Sequence, residues 1–547
     1  MPTLHWIGKD KVVNHHQEVP YRVLEHRYGF RDGKQSEEET GSGNLIIHGD
    51  NLLALKALLP KYQGRVNCIY IDPPYNTGNE KWVYNDNVNE PHIKKWLGEV
   101  VGTEGEDLSR HDKWLCMMYP RMVLLHKLLS EKGVIFISID DNEFAHLKLL
   151  CDEILGNKNF VCSFVWQKKT GAADARGIAT ITENILCYCK DIQLVSSLFR
   201  NNDAAFDIRR YRYKDEFYAE RGAFYYDTLD RGSIRYSDTL NYPITAPNGD
   251  IIYPNGRKEF ANDGWTWKWS KEKVEWGLKN GFITISESTK SKNGWVVKYK
   301  IYLNVDNEGN KINKSVPFKN LITDVLNADA ASLMKQLFST KVFDYSKPVE
   351  LISFLLSTIQ LSDSSIILDS FAGSGTTGHA VLNYNKDGNN CKFILVEMED
   401  YAESVTAERI RRVINGYGEG NKAVEGTGGA FDYYELGEPL FREDGNLNEA
   451  VGEDKIREYI FFSETQQNLS ERNPKDKYFL GNVFDTAYYF YYEPEALTTL
   501  NHETLRQIVK QRAEQYIIYA DVCTLTEEEM HLLGVIFKKI PRDIKRF

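Results

Sequence analysis

Two short segments carry residue types suited to chemistry, and the first is Asp72-Pro73-Pro74-Tyr75. An aromatic amine is a poor nucleophile because its lone pair is delocalised into the ring, so it needs acceptors for its hydrogens. Asp72 can supply a carboxylate and Pro73 a carbonyl, on a backbone whose φ angles are fixed by proline. Tyr75 can stack on a base that carries such an amine. The same residues also suit a plain turn after a strand, and taken alone they favour neither interpretation.

The second segment runs from Asp369 to Gly378, with the sequence DSFAGSGTTG, between an apolar strand and a helix. Its glycines let a ligand approach the backbone closely, and a helix N-terminus offers N–H donors. The segment matches the GxGxxG pattern, and Glu397 ends the next strand, so an NAD-binding enzyme also fits these residues. Asp369 favours a different ligand, because a carboxylate there would repel a pyrophosphate but can receive the ammonium of a methionine moiety. A plain strand-turn-helix is the remaining interpretation.

The two segments are more specific together than apart. Both follow strands, and open α/β sheets place their sites where parallel strands end. An amine held by Asp72 would then lie beside a methyl donor held by the glycine segment, and positioning would supply most of the acceleration of a direct displacement. A base inside a duplex cannot reach such a pocket, so base flipping is implied. This chemistry needs neither a metal ion nor a covalent enzyme intermediate.

Strand and helix patterns alternate on both sides of a different middle segment. Short apolar runs are typical of buried parallel strands, and apolar residues at spacings of three and four are typical of helices. The predicted strands are Asn44 to His48, Val66 to Ile71, Val134 to Ile139, Ile366 to Leu368 and Phe393 to Val396, and the predicted helices cover Leu52 to Leu59 and Trp114 to Leu129. We therefore predict an α/β fold interrupted by an inserted module.

The middle segment, residues 168 to 330, has 25 Lys and Arg against 21 Asp and Glu, a net charge of +4 in a chain whose net charge is −11. Its basic and aromatic residues suit contacts to phosphates and bases, although many of the aromatic rings must belong to a core. Beyond residue 438 lies an acidic tail. There the pattern predicts strands at Tyr459 to Phe462 and at Tyr516 to Tyr519, with a helix near Glu503 to Gln515. Dimerisation or partner docking is the hypothesis for this tail.

Composition excludes several classes of protein. No run of about 18 apolar residues suggests a membrane span. The eight cysteines form no CxxC pair and have no histidine at zinc-ligand spacing, which predicts a reduced, cytoplasmic protein without a metal site. The phosphate-binding pattern GxxxxGK[ST] is absent, so any nuclease or helicase activity would come from a separate subunit.

The chain resembles the amino-methyltransferases of DNA in the permuted arrangement called the β group, and within it the modification (Mod) subunits of type III restriction-modification systems. The resemblance covers nearly the whole chain. It is carried by His48 to Leu52, Ile69 to Gly78, Gly133 to Asp141, Phe343 to Pro348, Asp369 to Thr377 and Ile536 to Ile544.

This resemblance implies a Rossmann-like methyltransferase fold, circularly permuted, with an inserted target-recognition domain and a small C-terminal α/β domain. The implied divisions are a catalytic half (1–167), a DNA-recognition domain (168–330), an S-adenosylmethionine-binding half (331–437) and a dimerisation or partner domain (438–547). The residues implied for the target amine and base are Asp72, Pro73, Pro74 and Tyr75. Those implied for the donor are Asp50, Asp369, Phe371, Gly373, Gly375, Thr376 and Glu397, with Asp369 near the methionine end and Glu397 on the ribose hydroxyls.

The expected activity is sequence-specific methylation of adenine N6 in double-stranded DNA, because DPPY in this family usually accompanies adenine and SPPY cytosine N4. The expected partners are a second copy of the chain and a restriction subunit. Cytosine N4 and RNA are the neighbouring alternatives. An NAD-dependent oxidoreductase and a recognition subunit without catalysis are the more distant ones.

Overall fold

The computed structural model describes residues 4–77, 106–171, 177–202, 207–232, 235–312, 314–470 and 476–542. Gly78, Asp543 and Ile544 of the motifs above lie outside these ranges. Backbone contacts divide the chain into two units. The first comprises residues 1–200 and 319–547, and the second comprises residues 201–318, which fall inside the predicted recognition segment. The domain boundaries at 168, 331 and 438 stay predictions.

The elements before residue 201 belong to the first unit. In chain order they are α1 (Lys9–Val12), α2 (His15–Glu18), β1 (Arg22–Arg31), β2 (Lys34–Ser36), β3 (Leu45–His48), α3 (Asn51–Tyr62), β4 (Val66–Ile71), α4 (Glu106–Leu128), β5 (Leu129–Ile139), α5 (Phe144–Cys151), a π turn (Asp152–Gly156), β6 (Phe160–Gln167), β7 (Thr182–Cys189) and α6 (Val195–Leu198). The strands and helices predicted for this part of the chain are confirmed, including the long helix that contains Trp114 and the strand that precedes Asp72.

The second unit is built from short strands and two short helices. They are β8 (Asn201–Asn202), α7 (Tyr218–Arg221), β9 (Phe224–Thr228), β10 (Asp230–Arg231), β11 (Ile244–Thr245), β12 (Ile251–Ile252), β13 (Thr266–Trp267), α8 (Lys271–Lys279), β14 (Ile283–Glu287), β15 (Trp295–Tyr302) and β16 (Val316–Pro317). Strands β14, β15 and β9 form an antiparallel sheet. Trp267, Trp269 and Tyr302 are buried beside it, so part of the aromatic content of this unit forms its core, as predicted.

The first unit resumes at residue 319. Its remaining elements are β17 (Leu321–Ile322), α9 (Asn327–Phe338), α10 (Val349–Thr358), β18 (Ile366–Asp369), α11 (Thr376–Asn385), β19 (Lys392–Glu397), a π turn (Ala402–Ala407), α12 (Glu408–Asn415), β20 (Gly416–Tyr417), β21 (Val424–Glu425), β22 (Ala430–Pro439), α13 (Glu453–Thr465), β23 (Phe479–Val483), β24 (Thr486–Phe490), β25 (Thr499–Leu500), α14 (His502–Ile508), β26 (Gln515–Ala520), β27 (Val522–Cys523), α15 (Glu527–Leu532) and β28 (Val535–Lys539).

A large sheet runs through the first unit in the order β17-β6-β7-β5-β4-β18-β19-β3-β22-β1-β2. The strands from β5 to β22 in this order are parallel, whereas β7 is antiparallel to both β5 and β6. Strands β18 and β19 follow the second unit in the chain, yet they lie between β4 and β3, which precede it. Strand β19, which follows β18 in the chain, lies on one side of β18, whereas β5, which follows β4, lies on the opposite side of β4. The strand order therefore reverses between β18 and β4. This topology confirms the predicted Rossmann-like α/β fold in permuted order.

Alternate residues of the central strands face two different cores. Cys68 and Tyr70 of β4 pack in the core that contains α10 and α11, whereas Ile69 and Ile71 pack in the core that contains α3 and α4. Because helices cover both faces, these strands are apolar throughout, which is why they were recognisable from sequence. Within the described ranges, every helix is too short or too polar to cross a membrane.

The tail forms a second, smaller sheet in the order β23-β24-β26-β28. The strand predicted at Tyr516 to Tyr519 is confirmed as part of β26. The helix predicted near Glu503 to Gln515 is present as α14 but ends at Ile508, and Gln515 already belongs to β26. The strand predicted at Tyr459 to Phe462 is wrong, because these residues lie in α13. The aromatic residues suggested a strand, but Ile456, Ile460 and Phe461 follow a helical spacing and pack in one core.

A buried ion pair near the end of the tail links residues that follow β26 and β28, and it provides a test of how the tail packs. Arg542 donates two hydrogen bonds to Asp521, both of 2.5 Å, and both side chains are at most 1% exposed. Because Arg542→Met leaves an uncompensated buried carboxylate, we expect it to lower the free energy of unfolding by about 3–5 kcal/mol. Arg506→Met, at an exposed position on α14, is the control and should unfold as the wild type does in urea. Equal stability of the two variants would contradict this assignment.

Candidate active site

Both candidate segments lie at the same edge of the large sheet. Strands β18 and β4 are parallel neighbours, with Ile367 opposite Cys68 and Leu368 opposite Ile69. Asp369 therefore ends β18 beside the end of β4, and Asp72 is the first residue after β4. The pairing brings together side chains almost 300 positions apart in the sequence, at the edge where the strand order reverses.

The carboxylate of Asp72 is held by two donors. The Tyr75 hydroxyl donates to Asp72 Oδ1 over 2.7 Å, and Lys347 Nζ lies 3.0 Å from the same oxygen. The Trp114 indole donates to the carbonyl of Pro74 over 2.7 Å, which fixes the turn from the side of α4. The carbonyl of Pro73 accepts no hydrogen bond from the described residues. The turn thus brings together a carboxylate and a carbonyl that has no hydrogen-bonding partner among the described residues.

Charges around Asp72 oppose one another. Loss of hydration raises the pKa of Asp72, and Glu183 raises it further, whereas Lys347 and the Tyr75 hydroxyl lower it. Burial lowers the pKa of Lys347, but Asp72 and Glu183 outweigh this effect and raise it. The stable arrangement is therefore an ammonium shared between two carboxylates.

The glycine segment is shaped by two residues with left-handed backbone. Gly373 has φ +52° and Gly375 has φ +80°, and a Cβ atom added at Gly375 would lie 3.2 Å from the carbonyl oxygen of Thr406. Gly378, which completes the GxGxxG match, has a different role. A Cβ there would meet Ile410 at 2.8 Å, so this glycine allows α11 to pack against α12. A Cβ there would also meet Leu395 of β19 at 2.9 Å, so Gly378 serves packing and does not by itself distinguish between the two ligands.

Two buried carboxylates flank the glycine segment. Asp369 accepts hydrogen bonds from the Phe371 N–H (3.0 Å) and the Thr377 hydroxyl (2.5 Å). Glu397 accepts from the backbone N–H groups of Gly373 (2.7 Å) and Glu399 (3.0 Å). Burial raises the pKa of each to about 7, and no cationic side chain in the described part of the chain offsets it. Both are therefore ready to receive an external donor or cation.

Three other predicted donor residues have protein partners. Thr376 accepts a hydrogen bond from buried Arg409 (2.9 Å) and donates to the carbonyl of Lys347. The side chain of Phe371 is buried in the core beside α3. Asp50 caps the N-terminus of α3 and lies 3.5 Å from Arg121. All three lie near the edge of the sheet, and their roles toward a ligand stay predictions.

Sequence reasoning assigned no role to Lys347 or Glu183, which complete the surroundings of Asp72. Lys347 precedes α10, and Glu183 lies at the start of β7 with a side chain only 4% exposed. A lysine before a proline and an acid in an apolar strand are common, so neither spacing indicated a site. The only available signal for Glu183 was an acid two residues before the apolar run that starts at Ile185.

A second cluster lies beside the turn, where His111 and His146 both contact buried Glu143. Their Nδ1 atoms lie 2.6 and 2.8 Å from the Glu143 carboxylate, and the Asn76 amide donates to the same group. These three side chains have the types that bind metals, and their ligand atoms lie within 4.8 Å of one another. Ligands on a tetrahedral zinc ion would be about 3.3 Å apart, so these shorter contacts are those of hydrogen bonds. The absence of a metal site stays a prediction.

Comparison with known proteins places these residues in a family. The profile of a family described as DNA methylase matches residues 66–408. The Mod subunit of the type III restriction-modification enzyme EcoPI, from Escherichia phage P1, is 30% identical over 462 residues, which are 77% of this chain and 66% of that protein. The EcoP15I Mod subunit of Escherichia coli is 29% identical, over 73% of this chain and 64% of that protein. The chain thus spans just under two thirds of the length of these relatives. The type II methyltransferase M.KpnI of Klebsiella pneumoniae is 33% identical, over 65% of this chain and 81% of that protein.

Because the pKa of Asp369 is raised in the folded chain, we predict that the free energy of unfolding depends on pH. Because burial raises this pKa from 3.8 to about 7, the folded chain holds a proton that the unfolded chain releases between these values. Stability is therefore lost as pH rises through this window, and Asp369→Asn should remove part of the loss. We expect the Tm of the wild type to fall more than that of Asp369→Asn between about pH 5 and about pH 8.

The control for this experiment is Asp387→Asn, which removes a carboxylate at an exposed position. Its Tm should follow that of the wild type at every pH. If Asp369→Asn and Asp387→Asn changed with pH in the same way, the carboxyl of Asp369 would not be protonated in the folded chain near neutral pH.

Proposed function

Because the chain belongs to the DNA methylase family, we propose that it is a sequence-specific DNA methyltransferase that transfers a methyl group from S-adenosylmethionine to N6 of adenine. The observation that carries this proposal is the position of Asp72 beside Asp369 at one sheet edge. An amine acceptor and a cation-receiving carboxylate then face the same space. The family gives no support to the NAD-dependent alternative.

The turn after β4 is suited to binding an exocyclic amine. Asp72 Oδ1 already accepts hydrogen bonds from an O–H and an N–H group, and the carbonyl of Pro73 accepts none from the described residues. Two acceptors on one side of an amine draw its hydrogens away from the ring plane, so its lone pair becomes more available. The Tyr75 ring lies at the same place and offers a surface for a flipped base.

The pocket around the glycine segment fits S-adenosylmethionine. Glu397 would hold the ribose hydroxyls, and Asp369 would receive the ammonium, which explains why neither has a cation among the described residues. The buried hydroxyl of Ser370 also has no hydrogen-bonding partner among the described residues. Gly373 and Gly375 leave room for the ligand beside the backbone. When bound, S-adenosylmethionine supplies a methyl group on a positively charged sulfur.

The residues of this chain act mainly by positioning. Asp72 orients the amine so that its lone pair faces the donor pocket, and Tyr75 holds the base plane. The amine nitrogen becomes positive as it bonds to the methyl carbon, because the carbon–sulfur bond breaks at the same time and its electron pair stays on the sulfur of S-adenosylhomocysteine. The carboxylate of Asp72 stabilises the charge on the nitrogen. Asp72 Oδ1 then accepts the proton that the nitrogen must lose. The raised pKa of Asp72 suits this step, because a more basic carboxylate accepts a proton more readily.

DNA binding is proposed for the second unit. Residues 208–214, with the sequence IRRYRYK, combine four basic and two aromatic side chains. The side chain of Arg209 is 86% exposed and the whole of Tyr213 is 52% exposed, so this run contributes little to the core. Basic groups for phosphates and rings for bases are what a nucleic-acid surface needs.

This surface can be tested by salt dependence. Arg209→Gln combined with Arg212→Gln should weaken DNA binding and lower the slope of log affinity against log salt by about two, if each contacts one phosphate. Lys271→Gln combined with Lys279→Gln removes two exposed charges from α8 and is the control. Unchanged affinity and slope in the first double variant would exclude this run from the DNA interface.

The proposal extends to partners through the tail. Two relatives are named Mod subunits of restriction-modification enzymes, so a restriction subunit and a second copy of the chain are the proposed partners. The region proposed for these contacts is 438–547, where Leu532 and Phe484 are 85% and 96% exposed. Large exposed apolar side chains are typical of surfaces that bind another protein.

The central test is modification of DNA in a host that expresses the chain. Single-molecule sequencing should find N6-methyladenine at one short motif with the wild type and none with Asp72→Asn. The loss of transfer should be about a hundredfold or more, because the neutral amide cannot accept the proton. Calorimetry should show that Asp72→Asn still binds S-adenosylmethionine.

The control for this test is Asp387→Asn, which should methylate as the wild type does. Near-normal methylation by Asp72→Asn would contradict the amine-binding role. Methylated cytosine would keep the mechanism and change the base. No modified base would direct attention to an RNA substrate or to a missing partner.

A further inference from the structure

The ammonium of Lys347 makes the contacts that the proposed substrate amine would need. Lys347 Nζ lies 3.0 Å from Asp72 Oδ1, and it donates to the Tyr75 hydroxyl over 2.7 Å. It also lies 4.8 Å from the centre of the Tyr75 ring. The proposed target amine would also donate an N–H group to Asp72 and lie against Tyr75. The amine and the Lys347 ammonium would therefore compete for one position.

The positive charge of Lys347 is a second reason why its ammonium has to leave Asp72 before methyl transfer. The amine nitrogen becomes positive as it accepts the methyl group, and a cation a few ångströms away would oppose that change. If Lys347 stayed on Asp72, it would both occupy an acceptor and destabilise the transition state.

Glu183 offers the ammonium another position close by. Glu183 Oε1 lies 3.6 Å from Lys347 Nζ, slightly beyond hydrogen-bond distance, and Oε2 is buried with no hydrogen-bonding partner in the described part of the chain. The only other cation near this carboxylate among the described residues is Lys168, also at 3.6 Å. A small movement of the Lys347 side chain would therefore exchange one carboxylate for the other.

The backbone of Lys347 is fixed, whereas its side chain can reach either Asp72 or Glu183. Its carbonyl accepts a hydrogen bond from Thr376 at the start of α11, over 3.2 Å. Buried Arg409 holds both Thr376 and Ser346, the residue before Lys347. The lysine is thus anchored to the glycine segment, and only its side chain can respond to the base.

We propose that Lys347 is a positioning residue that occupies the place of the target amine on Asp72 and moves to Glu183 when the flipped base binds. The inference rests on the proposed function. Before the base binds, the ammonium keeps Asp72 ionised and satisfied in a desolvated place. Afterwards Glu183 neutralises the ammonium, and Asp72 holds the amine and the Tyr75 hydroxyl without a cation beside them.

The groups that act on Asp72 come from several elements. They are Lys347 before α10, Glu183 on β7, Tyr70 on β4, Tyr75 after β4 and Asp369 at the end of β18. Lys347 is the only cation in this set. Its removal therefore makes ionisation of Asp72 harder, whereas removal of the Glu183 charge makes it easier.

The test compares Lys347→Met, Glu183→Gln and the double variant in the full chain, with the DNA motif found by sequencing. Glu183→Gln removes the second position, so kcat/KM for DNA should fall about tenfold or more, the scale of a lost charged hydrogen bond. In the double variant no ammonium has to move. Above the acid limb of the pH profile, the double variant should therefore be about tenfold more active than Glu183→Gln alone.

The pH profile is the second readout. Lys347→Met should move the acid limb of kcat/KM upward by about one pH unit or more, because an adjacent cation no longer favours the carboxylate. Glu183→Gln should not move it upward. Lys148→Gln removes a lysine that pairs with Asp152 at 2.7 Å on α5, and it should change neither readout. If Lys347→Met does not fold, Lys347→Gln replaces it.

The outcomes separate this inference from the proposed function. A double variant no more active than Glu183→Gln shows that Lys347 does not have to leave Asp72 and overturns the inference alone. An unmoved acid limb in Lys347→Met overturns its role in keeping Asp72 ionised. A wild-type chain that methylates no DNA overturns the proposed function and the inference with it.

Discussion

The parallel pairing of β18 with β4 is the constraint on which the site depends. Neighbouring strands in a sheet are about 4.8 Å apart, so the residues that end these two strands must lie side by side. The register of Ile367 with Cys68 and of Leu368 with Ile69 sets which residues meet. A slip of one residue would turn Asp369 to the other face of the sheet. The apolar runs of both strands, buried between two helical layers, prevent such a slip.

Four buried carboxylates among the described residues show two different kinds of surroundings, and the difference points to the site. Asp521 is paired with Arg542, and Glu143 is held by two histidines, so each is compensated within the protein. Asp369 and Glu397 have only N–H and O–H donors, and burial raises the pKa of both to about 7. Such groups reduce stability at neutral pH, and they are typical of places that bind a charged or hydrogen-bonding ligand.

Sequence could predict what is local. Asp72-Pro73-Pro74-Tyr75 and the glycine segment carry their chemistry within a few residues, and the apolar strands before them are distinct enough to place both at a sheet edge. Partners that come from distant parts of the chain were not predictable. Lys347 and Glu183 reach Asp72 only because β7 joins the sheet antiparallel and Lys347 is anchored on α11. The strand predicted at Tyr459 to Phe462 was wrong for a related reason. Aromatic residues prefer strands, but here this preference is overridden by packing at a helical spacing in α13.

The central claim is that Asp72 and the pocket of Asp369 and Glu397 face one reacting centre. The most direct measurement is a crystal structure of the chain with S-adenosylhomocysteine and a duplex that contains its methylated motif. We expect the sulfur of the ligand to face the turn after β4, with the amine of a flipped adenine within hydrogen-bond distance of Asp72. A ligand bound away from Asp369 and Glu397, or a flipped base whose amine contacts neither Asp72 nor the carbonyl of Pro73, would contradict this account.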